Sequence, residues 1–170
     1  MAKEVESDSL TWNSIIDSKF QTFVIYPNNP HFKKFEDNYF KVFGLAFLDF
    51  QSMTIFVDGK ELLKDGYTPD HIYAIEAHEI AHHMLKHDRD APSVEQEKAA
   101  DAAAIELLDL LKHQKAKDLL INRFLLLYKH DYSTDTNLSI EEKSLLKTYL
   151  KARNDSWWKK ALKFIRIIKK

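Results

Sequence analysis

The H-E-x-x-H motif formed by residues 78–82 constrains the fold more than any other stretch of this chain. On an α-helix, residues four positions apart lie on one face, roughly 6 Å from each other. In that arrangement His78 and His82 can bind the same zinc ion, at Zn–N distances of about 2.0–2.1 Å. The motif therefore predicts a helix that supplies two ligands to one Zn²⁺ per chain.

Glu79 lies between the two histidines in sequence but about 100° further round the helix. Its carboxylate is therefore expected beside the metal and not on it. A zinc ion lowers the pKa of water from 15.7 to about 7, and a neighbouring carboxylate can accept the proton that is released. Glu79 is thus predicted to be the catalytic residue, a general base.

A second acidic motif, Glu97-Lys98-Ala99-Ala100-Asp101, begins fifteen residues after His82. A catalytic zinc site has three protein ligands, with the fourth position left for water or substrate. Glu97 is the candidate for the third ligand, with Glu95 as a nearby alternative. Asp101 shares a helical face with Glu97, so we expect it to accept the free N–H of a ligand imidazole and to fix its orientation.

The flanking sequence favours two helices joined by a short loop. Thr68 followed by Pro69 is a typical helix start, and no Gly or Pro occurs from 70 to 91. Ser93 with Gln96 forms a capping box that begins a second, alanine-rich helix, expected to end near residue 113. Neither His83 nor His87 is expected to bind the metal. The ring of His83 is turned away, and no glycine lets the chain bend back to bring His87 near.

The pair H-E-x-x-H and E-x-x-A-D resembles the gluzincin group of zinc metallopeptidases. Length, compact spacing and the lead-in over residues 54–58 are most similar to small ImmA/IrrE-type or minimal single-domain gluzincins, and the resemblance covers about residues 40–111. It implies a zincin-like fold, a protein or peptide substrate, and zinc coordination by His78, His82 and Glu97. It also implies Glu79 as general base and Asp101 as the supporting acid.

The rest of the pattern predicts an α+β, mostly helical fold. A first helix is expected over 10–20, a strand or helix end over 22–26, and an antiparallel hairpin from strands at 40–50 and 53–57. This small antiparallel sheet precedes the H-E-x-x-H helix and the helix that bears Glu97. A single domain, 1–170, is expected, with a tail at 1–9 and a C-terminal helical part at 114–170. Within that part, helices are predicted over 115–129, 139–152 and 156–168.

Composition narrows the class of protein. The chain contains no Cys, so neither a disulfide nor a thiolate ligand is possible, and its 45% hydrophobic content excludes a disordered chain. The first ten residues are polar, and no apolar run approaches the 18 or so residues of a membrane span. We therefore expect a cytoplasmic protein.

Charge is concentrated at the C-terminus. Residues 147–170 contain nine Lys/Arg and one Asp, a net charge of +8, although the whole chain carries −1. This distribution does not indicate general nucleic-acid binding. The amphipathic segment 156–170 is expected either to pack on the domain or to contact a membrane surface or an acidic partner.

Two functions are compatible with these motifs. The first is a zinc metallopeptidase, such as a regulatory protease, in which His130 or Tyr132 is the candidate to stabilise the oxyanion. The second is a catalytically inactive zinc-binding module for protein interaction. A catalytic zinc site keeps an open coordination position, whereas a structural one is closed by a fourth protein ligand.

Overall fold

The structure is a computed structural model that describes residues 7–64, 67–87 and 92–127, with isolated positions at 140, 141, 144 and 148. For 124–127 it describes the helical backbone only. The fold is α+β. In chain order its elements are β1 (Ser9–Asn13), β2 (Gln21–Ile25), α1 (Phe32–Phe35), a π-helical turn (Glu36–Phe40), α2 (Lys41–Phe43), β3 (Ala46–Asp49), β4 (Thr54–Asp58), α3 (Gly59–Leu62), α4 (Pro69–Leu85), α5 (Val94–Leu110) and α6 (Gln114–Leu127).

The sheet is mixed and not antiparallel as predicted. Its four strands lie in the order β1-β2-β4-β3. The predicted β3–β4 hairpin is confirmed, and β1 also pairs antiparallel with β2. The central pair β2–β4, however, is parallel, because the chain leaves β2, crosses the sheet through α1 and α2, and places β3 on the outside before returning as β4. In the described chain, β3 is therefore an edge strand.

The helix predicted over 10–20 is wrong, because this stretch forms β1 and a turn. The Ser14 hydroxyl accepts a hydrogen bond from the Ile16 amide at 3.1 Å, and the Asp17 carboxylate accepts one from the Lys19 amide at 3.0 Å. Such side-chain bonds offer the backbone an alternative to helix. The apolar residues of this stretch do not form one face of a helix. Ile16 instead lies in the turn, and its side chain is completely buried in the core.

The predicted strand over 40–50 begins later than expected. Its first residues belong to the end of the π-helical turn and to α2. Gly44 stops that helical segment with a φ of +92°, a conformation that glycine adopts without a steric penalty. Only Ala46–Asp49 is left to form β3.

The two faces of the sheet have different partners. On the inner face, buried aliphatic side chains such as Val24, Ile55 and Leu48 join the main core with residues of α4 and α5. On the outer face, a second cluster of mostly phenylalanine side chains packs under α1 and the π-helical turn. The sheet thus separates an aliphatic core from an aromatic one.

Helices α4, α5 and α6 pack together beneath the inner face. Both α4 and α5 bury alanines completely, and the fully buried positions are Ala77, Ala81, Ala100, Ala103 and Ala104. Small side chains of this kind let two helix backbones approach closely. None of the helices in the described ranges is long and apolar enough to cross a bilayer.

Candidate metal centre

Helix α4 presents the H-E-x-x-H motif as predicted. It begins after Thr68, with Pro69 in the first turn, and the Thr68 amide donates to His71 Nδ1 at 3.0 Å. Helix α5 begins with the predicted capping box, in which the Gln96 amide donates to Ser93 Oγ at 3.2 Å and the Ser93 amide donates to Gln96 Oε1 at 2.9 Å. Both helices therefore begin at the predicted capping residues, and α4 packs against α5.

Three side chains from the two helices converge with metal-ligand geometry. His78 Nε2 and His82 Nε2 are 3.0 Å apart, and the Glu97 carboxylate oxygens lie 3.3 Å from the first and 3.4 Å from the second. Donors bound to one tetrahedral zinc at about 2.0–2.1 Å are separated by about 3.3 Å. His78, His82 and Glu97 can therefore hold one metal ion. The alternative, Glu95, is exposed and is not a member of this group.

Asp101 supports His78 from the side opposite the metal-facing nitrogen. Its Oδ1 lies 2.7 Å from His78 Nδ1, and the Asp101 side chain is completely buried. This bond leaves His78 Nε2 as the nitrogen that faces the ligand cluster. Burial opposes protonation of His78, but the bonds to Asp101 and Glu97 outweigh it and raise its pKa to about 9.

His87 supports the other histidine, contrary to the expectation that the chain does not turn back here. Lys86 ends α4 with a φ of +57°, so the His87 amide returns to the His82 carbonyl at 3.0 Å. Consequently His87 Nδ1 lies 2.9 Å from His82 Nδ1. His87 is not a member of the ligand group, and it orients His82 by this contact. No residue pattern predicts this turn, because lysine is not typical of left-handed backbone.

His83, as predicted, points elsewhere. Its ring packs edge-on against Phe20, with 5.3 Å between centroids, and also contacts Phe50. It therefore belongs to the packing of the core beside the site.

The two glutamates of the site are in different electrostatic states. Glu79 is partly exposed and lines the cleft next to the ligands, and burial raises the pKa of its carboxyl above the usual range. Burial would also raise the pKa of Glu97, but contacts with His78 and His82 hold it well below its usual range. The contacts of Glu97 thus favour its charged form, whereas burial disfavours the charged form of Glu79.

A cavity of about 1130 Å³ opens onto this cluster. It is lined by His78, Glu79, His82 and Glu97, by both faces of β3, and by Arg123 from α6. Arg123 Nη2 lies 3.8 Å from Glu97 Oε2, and its side chain is 41% exposed. Among the described residues that line the cavity, Arg123 alone carries a fixed positive charge. No residue spacing connects Arg123 to the H-E-x-x-H motif, so it could not be identified from the sequence.

Two residues before His78, a buried glutamate joins α4 to the sheet. Glu76 is completely buried and accepts four hydrogen bonds. Trp12 Nε1 and Thr22 Oγ1 donate to Oε1 at 3.0 and 2.5 Å, and Ser14 Oγ and the Ile15 amide donate to Oε2 at 2.7 and 3.2 Å. All four donors come from β1, β2 and the turn between them, so this carboxylate fixes the position of α4 against the sheet.

Some predicted features fall outside the described residues. His130 and Tyr132, the candidates for oxyanion stabilisation, are among them, and so is the basic segment 156–170. The predicted helix over 139–152 is described only at four separate positions, all of them helical.

Comparison with known proteins gives no further information. No family model matches the chain, and neither a curated protein nor a solved structure matches it. What the chain does must therefore be inferred from the chemistry of its candidate metal centre.

Proposed function

We propose that this chain is a zinc-dependent peptidase with a small zincin-like fold. One observation carries the proposal: three donor atoms lie at tetrahedral spacing, and a non-ligand glutamate lies beside them in an open cavity. Two imidazoles and one carboxylate are the donor set of catalytic zinc sites in peptidases. A closed structural site is disfavoured, because the cluster has three members within the described ranges and faces a cavity.

Bound zinc would act as a Lewis acid, lowering the pKa of water and polarising the substrate carbonyl. Glu79 would then accept a proton from the attacking water and pass it to the leaving amine. Its raised pKa suits both halves of this transfer, because a carboxyl that titrates nearer to neutral pH both accepts and releases protons effectively. Glu97 stays ionised as a ligand, and Asp101 and His87 hold the imidazoles in place.

Arg123 is the described residue best placed to stabilise negative charge on the substrate oxygen. It faces the same cavity as Glu79, from the opposite helix α6. A guanidinium in a partly enclosed site offers several fixed N–H donors to a developing oxyanion. We assign it this role in the proposed reaction.

The edge of β3 offers a binding site for the substrate backbone. No described strand pairs with its outer edge, and residues of β3 line the cavity beside the metal ligands. An extended peptide can add to such an edge through main-chain hydrogen bonds. This arrangement would bring a peptide bond past the metal ligands through contacts of the substrate main chain.

The first test is metal content together with peptide cleavage. Purified protein is expected to contain about one zinc ion per chain after zinc loading and to lose it to a chelator, and cleavage of a mixed peptide library should disappear and return with the metal. Elemental analysis and mass spectrometry of the digests measure both quantities. If zinc is not bound stoichiometrically even after loading, the assignment of the metal centre is wrong.

Removal of Asp101 is expected to weaken metal binding. Because Asp101 fixes the His78 imidazole, Asp101→Ala should reduce zinc affinity about 10–100-fold, as measured by competition with a chromophoric chelator. Asp101→Asn keeps an acceptor oxygen and should lose less. Circular dichroism of both variants checks that the helices remain. Equal zinc affinity in all three proteins would mean that Asp101 has only a structural role.

A further inference from the structure

The outer face of the sheet carries a continuous row of aromatic side chains. Phe23 on β2 is in register with Phe56 on β4, and Phe56 is in register with Phe47 on β3. The rings of Phe23 and Phe56 are 5.7 Å apart in an edge-to-face arrangement, and those of Phe56 and Phe47 are stacked at 5.1 Å. Three of the four strands, β2, β4 and β3, thus contribute one phenylalanine each to the row, and the row ends at the edge strand β3.

Two further aromatic side chains flank the end of this row. Tyr39 stacks on Phe47 at 5.0 Å, and Phe43 lies 5.8 Å from it. Tyr39 is 38% exposed and Phe43 is 37% exposed, although both belong to an aromatic cluster. Together with Phe47 they form an aromatic bracket that opens at the edge of β3.

The aromatic bracket and the metal centre face one continuous cavity. The same 1130 Å³ space is lined by Tyr39, Phe43 and Phe47 on one side of β3 and by His78 and Glu79 on the other. A peptide added to β3 would therefore have one face of its backbone towards the metal ligands and the other towards the aromatic bracket. Alternation of side chains along a strand gives each substrate residue one of these two environments.

The row ends at Phe47, and a peptide strand added to β3 would place one of its side chains directly beside Phe47. Cross-strand neighbours have Cβ atoms about 4.5–5.5 Å apart, so that side chain would enter the aromatic bracket. We infer that the aromatic bracket is a specificity site that selects substrates with an aromatic side chain at this outward position. The inference rests on the proposed peptidase function and deepens it by naming the substrate class.

The lining of the aromatic bracket explains why an aromatic residue would be favoured. The side chains that surround the aromatic bracket in this cavity are uncharged: Phe35, Tyr39, Val42, Phe43, Phe47 and Phe56. Asp49, two residues beyond Phe47 on the same face of β3, also lines the cavity, and its carboxylate accepts hydrogen bonds from the Gln51 amide and from Ser52 Oγ. An anionic substrate residue would therefore lose hydration there without gaining a partner. An aromatic ring would gain stacked and edge-on contacts in addition to the burial of apolar surface.

Binding can be measured without cleavage by using zinc-loaded, full-length Glu79→Gln protein and fluorescein-labelled decapeptides. One peptide carries a single Phe in an Ala/Ser/Thr background, and its partner carries Ala at that position. Fluorescence anisotropy is expected to show about 3–10-fold tighter binding of the Phe peptide, the range of an aromatic cross-strand contact. Adding Tyr39→Ala and Phe43→Ala should remove this difference. Adding Leu110→Ala, at a 56% exposed position of α5 outside the cavity lining, should keep it.

Cleavage by the wild-type chain tests the register independently. The bound peptide would be held by the aromatic bracket on one face and by the metal centre on the other. In a set of peptides in which the Phe is moved stepwise along the sequence, the cleaved bond should therefore lie at a constant number of residues from the Phe. Mass spectrometry of the products reads this distance.

The outcomes separate the two proposals. Equal binding of the Phe and Ala peptides, or a Phe preference that survives Tyr39→Ala and Phe43→Ala, would overturn the specificity site even if the protein cleaves peptides. A Phe preference that depends on the aromatic bracket, without cleavage by the wild type, would support the site and count against the peptidase. If the wild type self-associates in sedimentation experiments and the Tyr39/Phe43 variant does not, the bracket is a self-interface and the inference is wrong.

Discussion

Glu79→Gln is expected to lower peptidase activity by at least about 10²–10⁴-fold while the protein keeps its zinc. Glutamine preserves the shape of the side chain and can still form hydrogen bonds, but it cannot accept the proton of the attacking water. Glu79 lines the cavity and is not one of the three converging ligands, so metal affinity should change little. Activity on a mixed peptide library, zinc content and the helical circular dichroism spectrum are measured on the same preparations.

A matched control is Glu95→Gln, because Glu95 is an exposed glutamate near the start of α5. This variant should retain wild-type activity. If Glu79→Gln loses zinc, Glu79 is a ligand and the assignment of Glu97 has to be revised. If both variants cleave as well as the wild type, the activity belongs to a contaminant. If none of the proteins cleaves while all bind zinc, the non-catalytic module becomes the better description.

Glu76→Ala is expected to reduce the free energy of unfolding by roughly 2–5 kcal/mol. The substitution removes the acceptor of four buried or partly buried donors, and each unsatisfied buried donor costs about 1–3 kcal/mol. Part of this loss is offset because the buried charge no longer has to be desolvated. The net loss is a large fraction of the free energy of unfolding of a typical domain, which is about 5–15 kcal/mol. Urea unfolding monitored by circular dichroism measures it.

Glu106→Ala is the control for this experiment, since Glu106 is exposed on α5. Its effect should stay within about 0.5 kcal/mol. Glu76 also fixes α4 against the sheet, so the Glu76 variant should begin to unfold from the β1–β2 side, with early loss of protection in hydrogen exchange of those strands. A loss of stability equal to that of Glu106→Ala would mean that water replaces the carboxylate at no cost.

The cluster of candidate metal ligands could be predicted because the information that defines it is local. His78 and His82 are related by one helical turn, and Glu97 and Asp101 by another, so spacing alone sets which side chains share a face. The capping residues Thr68 and Ser93 gave the helix starts. The remaining requirement is that α4 and α5 pack with these two faces together. A short connection between consecutive helices favours that packing.

The parts that could not be predicted depend on distant contacts or on unusual backbone. Trp12, Ser14 and Thr22 converge on Glu76 from 54 to 64 residues away, and no local pattern reports such an acceptor. The apolar spacing over residues 10–20 therefore predicts a helix, whereas the structure has β1 and a turn there. The contact of His87 with His82 cannot be predicted, because the left-handed turn at Lys86 has no sequence signature. Arg123 lies on a third helix, and only the packing of α6 shows that it faces the site.

The completely buried alanines of α4 and α5 affect how the geometry of such a site can change. Both histidines belong to α4 and the carboxylate ligand belongs to α5, so the gap between two backbones sets the distance between donor atoms. Ala81 and Ala100 are completely buried, and a close-packed interior takes up a larger side chain there by shifting a helix. The volume of these buried side chains thus affects the distance between the donor atoms, although the alanines themselves bind no metal. Adding one or two methyl groups there would change which metal ion fits best without changing the identity of any ligand residue.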